Sequence, residues 1–143
     1  MKILVSNIGS TSLKYRLFDF SNGGSEVLAK GGFERVTDYS ATIEEVLTQL
    51  KDGGHIESEN DLAAVGFKTI MAKDISGCVE ATDEVLEAME FYSSVAPAHN
   101  PPYIAGIRQF REKMPDKPMV ALFETAFYQH ASTAAQRYAV PQE

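Results

Sequence analysis

The first twenty residues constrain the fold most, because they have the pattern of a β-hairpin. Apolar residues fall on both alternating faces of residues 3–5, which is typical of a central strand. After a short turn at Gly9, residues 12–20 alternate between apolar and polar and end at the turn signal Ser21-Asn22-Gly23-Gly24. The chain therefore begins with two strands joined by a tight connection.

Three later stretches have apolar residues at helical spacing and predict helices. The capping-box pair Thr42 and Glu45 signals the first, which a glycine pair ends. Thr82 caps the second, which is expected to end near Val95. The third begins at Asn100-Pro101, since proline is suited to the first helical position.

Further strands are predicted over residues 26–36, 62–70 and 119–123, with a bulge or break at Gly31-Gly32 in the first of them. The order is then three strands, helix, strand, two helices, strand. This order predicts an α/β fold with a mixed sheet and flanking helices. A chain of 143 residues with 44% hydrophobic residues buries one core, so residues 1–143 are expected to form one domain.

Charge and cysteine content exclude several classes of function. A net charge of −7 argues against binding to nucleic acid or to anionic lipid unless a local basic patch prevails. The basic residues close in sequence, Arg108 with Arg111 and Lys113 with Lys117, have the pattern of solvated surface. A single cysteine, Cys78, allows no intramolecular disulfide and fits a reducing, cytoplasmic setting. The pattern predicts neither a signal peptide nor a membrane span, which would need ~20 apolar residues.

The turn of the hairpin carries small and polar residues that can bind an anion. Side chains two residues apart in an extended chain project from the same face, so Ser10, Ser12 and Lys14 would direct two hydroxyls and an ammonium into one volume. Backbone N–H groups of such a turn can also approach a phosphate closely. The alternative is an ordinary hairpin turn with a surface lysine.

Four blocks along the chain resemble the acetate kinase family, which includes propionate and butyrate kinases. Its amino-terminal signature resembles Asn7-x-Gly9-Ser10-Thr11-Ser12-x-Lys14, directly after the first strand. The other three blocks follow in the family's order: Ala96-Pro97-Ala98-His99-Asn100-Pro101, Phe123-Glu124-Thr125-Ala126-Phe127 and Tyr138-Ala139-Val140-Pro141. The resemblance covers nearly the whole chain and implies a ribonuclease-H-like or actin-like ATPase lobe.

The resemblance also implies an activity. Family members transfer the γ-phosphoryl group of ATP to the carboxylate of a short fatty acid, with Mg²⁺, in a cleft between two lobes. Residues 1–143 would form the amino-terminal lobe, with the second lobe absent from this chain, and the lobe alone would be inactive. A small carboxylic acid and a nucleotide are the expected ligands, and a homodimer is expected for a full-length protein.

Site residues follow from the matching positions. The resemblance implies a metal and phosphate contact at Asn7 and phosphate contacts at Ser10, Ser12 and Lys14. His99 matches the histidine that donates to the transferring phosphoryl group. The alternative is that His99 pairs with a backbone carbonyl at the start of a helix.

The remaining site positions depart from the family pattern. Glu124 stands where the family has its catalytic aspartate, and Lys68 stands where an arginine binds the substrate carboxylate, so bidentate geometry is lost. Ile70 and Ala98 occupy the substrate pocket in place of valine and leucine. In the block from residue 66 to residue 73, two histidines are replaced by Phe67 and Met71 and a glycine pair by Ala72-Lys73. These changes leave open a degenerate relative that binds phosphate, nucleotide or a partner without catalysis.

Overall fold

The computed structural model describes residues 1–21, 23–132 and 134–135, and within them it forms one sheet with three α-helices. Asn22 and the Tyr138–Pro141 block lie outside the described residues. The strands are β1 (Lys2–Ile8), β2 (Ser12–Asp19), β3 (Glu26–Glu34), β4 (Leu62–Thr69), β5 (Gly77–Glu80) and β6 (Met119–Phe123). The helices are α1 (Tyr39–Asp52), α2 (Asp83–Glu90) and α3 (Asn100–Lys113), with short 3-10 helices at Glu59–Asp61 and Glu124–Tyr128.

The sheet is mixed, as the sequence predicts, and its strand order is β3-β2-β1-β4-β6-β5. Strands β1, β4 and β6 run parallel, whereas β2 and β3 continue the sheet antiparallel on one side and β5 on the other. The carboxyl ends of the parallel strands therefore lie on the same side of the sheet. Side chains that follow or close these strands are brought together there, which is the usual place for a ligand in such sheets.

The core lies between the sheet and helices α1 and α3. Alternate residues of the central strands point into it, as Leu4 and Ile8 of β1 and Leu13 and Leu17 of β2 are almost fully buried. The opposite face of the sheet is open to clefts, and Leu122 of β6 keeps half of its surface exposed there. No helix among the described residues has the length and apolar character needed to cross a bilayer.

Helix α3 approaches β1 closely, and a glycine makes this possible. A Cβ on Gly106 would overlap the end of the buried Ile8 side chain, so a larger residue would displace either Ile8 or α3 from this close packing. Ile8 is the last residue of β1, directly before the hairpin turn. The packing of α3 therefore also supports the turn.

Two predicted details of the first half are wrong. Helix α1 is capped by Asp38, whose side chain accepts from Ala41 N–H, while Thr42 lies inside the helix and donates to the Asp38 carbonyl. An aspartate is as good an N-cap as threonine, so the cap lies one turn earlier than the Thr42 pattern indicates. Strand β3 continues through Gly31-Gly32, and the register irregularity lies instead between Leu17 and Phe18.

Two details of the second half also differ. Strand β5 was not predicted, because four residues at a sheet edge carry too little alternation to stand out in sequence. Helix α2 ends at Glu90 and not near Val95. The N–H groups of Tyr92, Ser93 and Val95 each bond three residues back, which gives tight turns in place of the predicted last helical turn.

Candidate active site

The hairpin turn between β1 and β2 is compact. Asn7 pairs with Lys14 and Ile8 with Leu13, and Gly9 N–H donates to the Ser12 carbonyl at 2.7 Å. A Cβ on Gly9 would lie 2.6 Å from Ser12 Oγ, so a larger residue here would force the Ser12 hydroxyl to move. The turn therefore holds its backbone and the Ser12 hydroxyl in one small volume.

The segment between β3 and α1 anchors this turn from outside. Val36 N–H donates to the Thr11 carbonyl at 2.8 Å, and the Tyr39 hydroxyl donates to the Gly9 carbonyl. Burial raises the pKa of the Tyr39 hydroxyl, which keeps it in the neutral form that can donate. Hydrogen bonds from this segment thus fix the Gly9 and Thr11 carbonyls of the turn.

Ser12 and Lys14 project from the same face of β2, because the residue between them, Leu13, is buried in the core. Ser10 lies in the turn and is exposed. The Lys14 ammonium lies 3.4 Å from the Glu34 carboxylate, and the two side chains are 63% and 68% exposed. Such a pair is weak, so Lys14 can exchange this partner for another anion.

An open cleft of about 740 Å³ lies beside the turn, on the face of the sheet away from α1 and α3. Asn7, Lys14 and Lys68, which the sequence assigns to phosphate and substrate, all line it. Arg16 and Lys30 line it as well. Only Lys14 and Arg16 are close in sequence; the sheet brings Lys30 and Lys68 to the same cleft, which is why the sequence shows no basic patch.

Lys68 and Glu124 meet at the carboxyl ends of the parallel strands β4 and β6. Lys68 Nζ lies 3.2 Å from Glu124 Oε1. The register of β4 with β6 places Thr69 beside Phe123, so each residue of the pair lies one position from this contact. The sequence treats the two residues as separate sites, and the structure joins them.

Tyr103 lies near both this ion pair and His99, and the sequence analysis did not identify it. The Tyr103 side chain is buried, and this burial raises the pKa of its hydroxyl. The nearby charges act in opposite directions, since Lys68 lowers this pKa and Glu124 raises it. The His99 and Tyr103 rings lie 6.1 Å apart between centroids. Their spacing of four residues at the start of α3 is the signal that could have identified Tyr103.

His99 is exposed at the amino end of α3, and its ring bonds to no backbone carbonyl of the described residues. Its neighbour Asn100 is fully buried and donates from Nδ2 to the carbonyls of Met71, at 3.1 Å, and Met89, at 2.7 Å. Asn100 therefore ties the loop after β4 and the end of α2 to the residue that follows His99.

The two residues assigned to the acyl pocket lie outside the cleft. Ile70 is half-buried and packs against the core, and Ala98 is exposed directly before His99. Lys73 lies over the Phe91 ring, 4.8 Å from its centroid. Within the part of the chain that the structure describes, no cluster of three His, Cys, Asp or Glu side chains could hold a metal ion.

Known proteins are similar to this chain over its whole length. The chain is 40% identical to an acetate kinase of Clostridium botulinum and 36% identical to that of Natranaerobius thermophilus, and each alignment covers 100% of the chain and 42% of the relative. The chain thus spans less than half the length of these relatives.

Solved structures agree with the sequence relatives. The acetate kinase of Porphyromonas gingivalis superposes with a TM-score of 0.87 at 30% identity, over 99% of this chain and 41% of that one. A propionate kinase from Francisella tularensis gives a TM-score of 0.78 at 27% identity, over 98% and 41%. The predicted actin-like ATPase lobe is confirmed. Because residues 31–143 also match the model of the acetokinase family, the chain belongs to that family.

Proposed function

We propose that this chain forms the phosphate- and carboxylate-binding part of an acetate-kinase-like phosphotransferase, which transfers the γ-phosphoryl group of ATP to a short-chain fatty acid. One observation carries the proposal: Asn7, Lys14 and Lys68 line a single open cleft, although they come from three different strands. Phosphoryl transfer depends on positioning and on neutralising the charge of the phosphoryl oxygens. This cleft offers cations and a polar amide for that purpose.

The turn would bind phosphate. Ser10 and Ser12 supply hydroxyl donors, and Lys14 supplies an ammonium that is only weakly engaged by Glu34. The anchored backbone of the turn keeps these donors in place before a ligand arrives, which lowers the cost of ordering them. Preorganised donors of this kind stabilise developing negative charge.

Mg²⁺ would be held by the Asn7 amide oxygen together with phosphate oxygens of the nucleotide. The residues fit this arrangement, since Asn7 is exposed in the cleft beside Lys14 and Mg²⁺ keeps few protein ligands when it binds a nucleotide. When bound, Mg²⁺ neutralises phosphate charge and orients the phosphate chain. The chain's own cations carry the remaining neutralisation.

The acceptor carboxylate would bind Lys68. Because Lys68 already contacts the Glu124 carboxylate, an incoming acid competes with Glu124 or shares the ammonium with it. His99 would donate to the transferring phosphoryl group, with its ring held beside Tyr103. The resemblance also assigns Ile70 and Ala98 to the acyl chain, although neither lines the cleft in this structure. Glu124 would then orient Lys68 in the place of the family aspartate.

The wider assignments belong to the same proposal. Residues 1–143 would act as one lobe of a two-lobed enzyme, the lobe alone would lack turnover, and the second lobe would bind the adenosine part of ATP. A small carboxylic acid and a nucleotide would be its ligands, in the cytoplasm, with a homodimer as the assembly of a full-length protein.

A second function, a binding module without catalysis, is favoured by one observation. Phe67, at a position where the family has histidine, is buried in the core and packs edge-on against Phe110, with 5.2 Å between ring centroids. This side chain cannot take part in proton or phosphate chemistry. A chain with this change could keep phosphate binding and lose phosphoryl transfer.

A chimera separates the two functions. The matching segment of the Clostridium botulinum acetate kinase is replaced by this chain, and acyl phosphate is trapped with hydroxylamine using acetate, propionate or butyrate. The kinase proposal predicts turnover that falls at least about a hundredfold in Lys68→Ala. The control Lys117→Ala, outside the cleft, should keep full activity. A folded chimera without turnover that still binds ATP would favour the binding module.

A further inference from the structure

We propose that Arg16 and Lys30 extend the phosphate site into a binding surface for an oligophosphate, an anion of two or more linked phosphate groups. This inference rests on the proposed function for the class of ligand, and on the structure for its position. Neither residue belongs to the blocks that resemble the family. Both line the same cleft as Asn7 and Lys14.

Arg16 and Lys30 lie directly opposite each other on β2 and β3. Side chains opposite in this way have Cβ atoms only about 5 Å apart, and like charges in such a pair are destabilising. The chain has 20 acidic and 13 basic residues, so an excess of basic residues does not explain why two cations face each other here. The pair therefore concentrates positive charge on the cleft side of the sheet, where an anion that binds both side chains would relieve their repulsion.

Neither of these cations is neutralised within the described residues. The other two lysines of the cleft have carboxylate partners, Glu34 for Lys14 and Glu124 for Lys68. Arg16 and Lys30 form no ion pair or side-chain hydrogen bond with the part of the chain that the structure describes. Their charge is therefore available to an anion from outside.

The three cations lie at the corners of a small triangle, a spread that suits several linked phosphates. Lys14 and Arg16 are two residues apart on β2, about 7 Å, and Lys30 lies one strand further across the sheet. A single phosphate is smaller than this spread, whereas linked phosphates can contact each cation in turn. Arg16 adds a planar fork suited to two phosphoryl oxygens.

A glycine keeps this triangle of cations accessible. Gly32 lies opposite Lys14, and a Cβ at Gly32 would be 3.1 Å from Lys14 Cγ. A side chain there would displace the Lys14 stem and enter the cleft between Lys14 and Lys30. The glycine thus leaves the space, about 740 Å³ in all, that an oligophosphate needs.

The test uses this chain as it is. Inorganic tripolyphosphate is titrated into the ¹⁵N-labelled protein at low salt, and backbone amide shifts are followed by NMR. We expect saturable shifts centred on residues 12–16 and 30–32, which added salt should weaken. Arg16→Gln and Lys30→Gln should each lower the affinity about tenfold, and the double variant more. Lys117→Gln, outside the cleft, should bind as the parent chain does.

Titrations with orthophosphate and with ATP identify the kind of ligand. Orthophosphate should bind at least tenfold more weakly than tripolyphosphate; equal affinities would overturn the assignment to linked phosphates. ATP that binds as tightly as tripolyphosphate, with the same loss in Arg16→Gln, supports a phosphate chain carried by a nucleotide. ATP that binds much more weakly supports a free inorganic chain.

Folding of the variants is not in question, because removing one of two opposed like charges should leave the melting temperature unchanged or raise it. Absence of saturable binding, or shifts centred elsewhere and untouched by both variants, would overturn the proposal. Those results would leave the chimera's phosphoryl transfer unaffected, so this inference can fail without the proposed kinase function failing.

Discussion

Lys68 and Glu124 form an ion pair at the carboxyl ends of β4 and β6, with 3.2 Å between Nζ and Oε1. The resemblance to the family leads us to expect an arginine and an aspartate at these positions, where this chain has Lys68 and Glu124. Lysine carries a compact charge and lacks the planar fork with which arginine binds two oxygens at once. Glutamate has a longer side chain than aspartate. The sheet therefore brings together two side chains that the sequence assigns to separate roles.

This ion pair should contribute little to stability. The side chains of Lys68 and Glu124 are 39% and 55% exposed, so we expect Glu124→Gln to change the free energy of unfolding by less than about 1 kcal/mol in urea denaturation. Glu90→Gln, which breaks a similarly exposed pair with Arg108, is the matched control. A loss above about 2 kcal/mol in Glu124→Gln alone would contradict a mainly functional role.

Gly106→Ala should destabilise the chain, although alanine is the better helix former. The new Cβ would overlap Ile8 Cδ1 in a fully packed region, and overpacking of this kind costs about 1–3 kcal/mol against a gain near 1 kcal/mol from helix propensity. Ile8→Val removes the overlapping methyl. In a double-mutant cycle, the pair should therefore be more stable than the two single losses predict. Additive losses would show that α3 does not contact β1 in this way.

Tyr39→Phe should loosen the hairpin turn. The substitution removes the donor to the Gly9 carbonyl and should cost about 0.5–1.5 kcal/mol of unfolding free energy. Amide hydrogen exchange should become faster at Gly9 and its neighbours. Tyr128→Phe changes an exposed tyrosine and serves as the control. Unchanged exchange at Gly9 in Tyr39→Phe would show that this hydroxyl does not hold the turn.

Asp19 should make stability depend on acid pH. Hydrogen bonds from the Ser21 hydroxyl and the amino-terminal ammonium lower its pKa from 3.8 to about 2. A carboxyl whose pKa is lower in the folded state stabilises it above the unfolded pKa, so this contribution should be lost as pH falls from about 4 to about 2. Asp19→Asn should flatten the dependence in that window, measured by urea denaturation, and Asp116→Asn should leave it in place.

The chain order of helices and strands is largely local information. Alternation in β2, the cap at Thr82 and the Asn100-Pro101 start were each predicted correctly, because neighbouring residues determine them. The Asp38 cap and strand β5 were not predicted, since both are short patterns with close competitors in sequence.

Residue by residue, the sequence alone determined which chemistry is present: the hydroxyls and ammonium of the turn, a histidine at a helix start, and family blocks in the right order. Tertiary structure alone decided which groups meet. Lys68 contacts Glu124, 56 positions apart, because β4 and β6 are parallel neighbours, and Arg16 faces Lys30 because β2 and β3 pair in one register. Side-chain chemistry is a property of each residue, whereas proximity across a sheet depends on strand order and register, which no local pattern encodes.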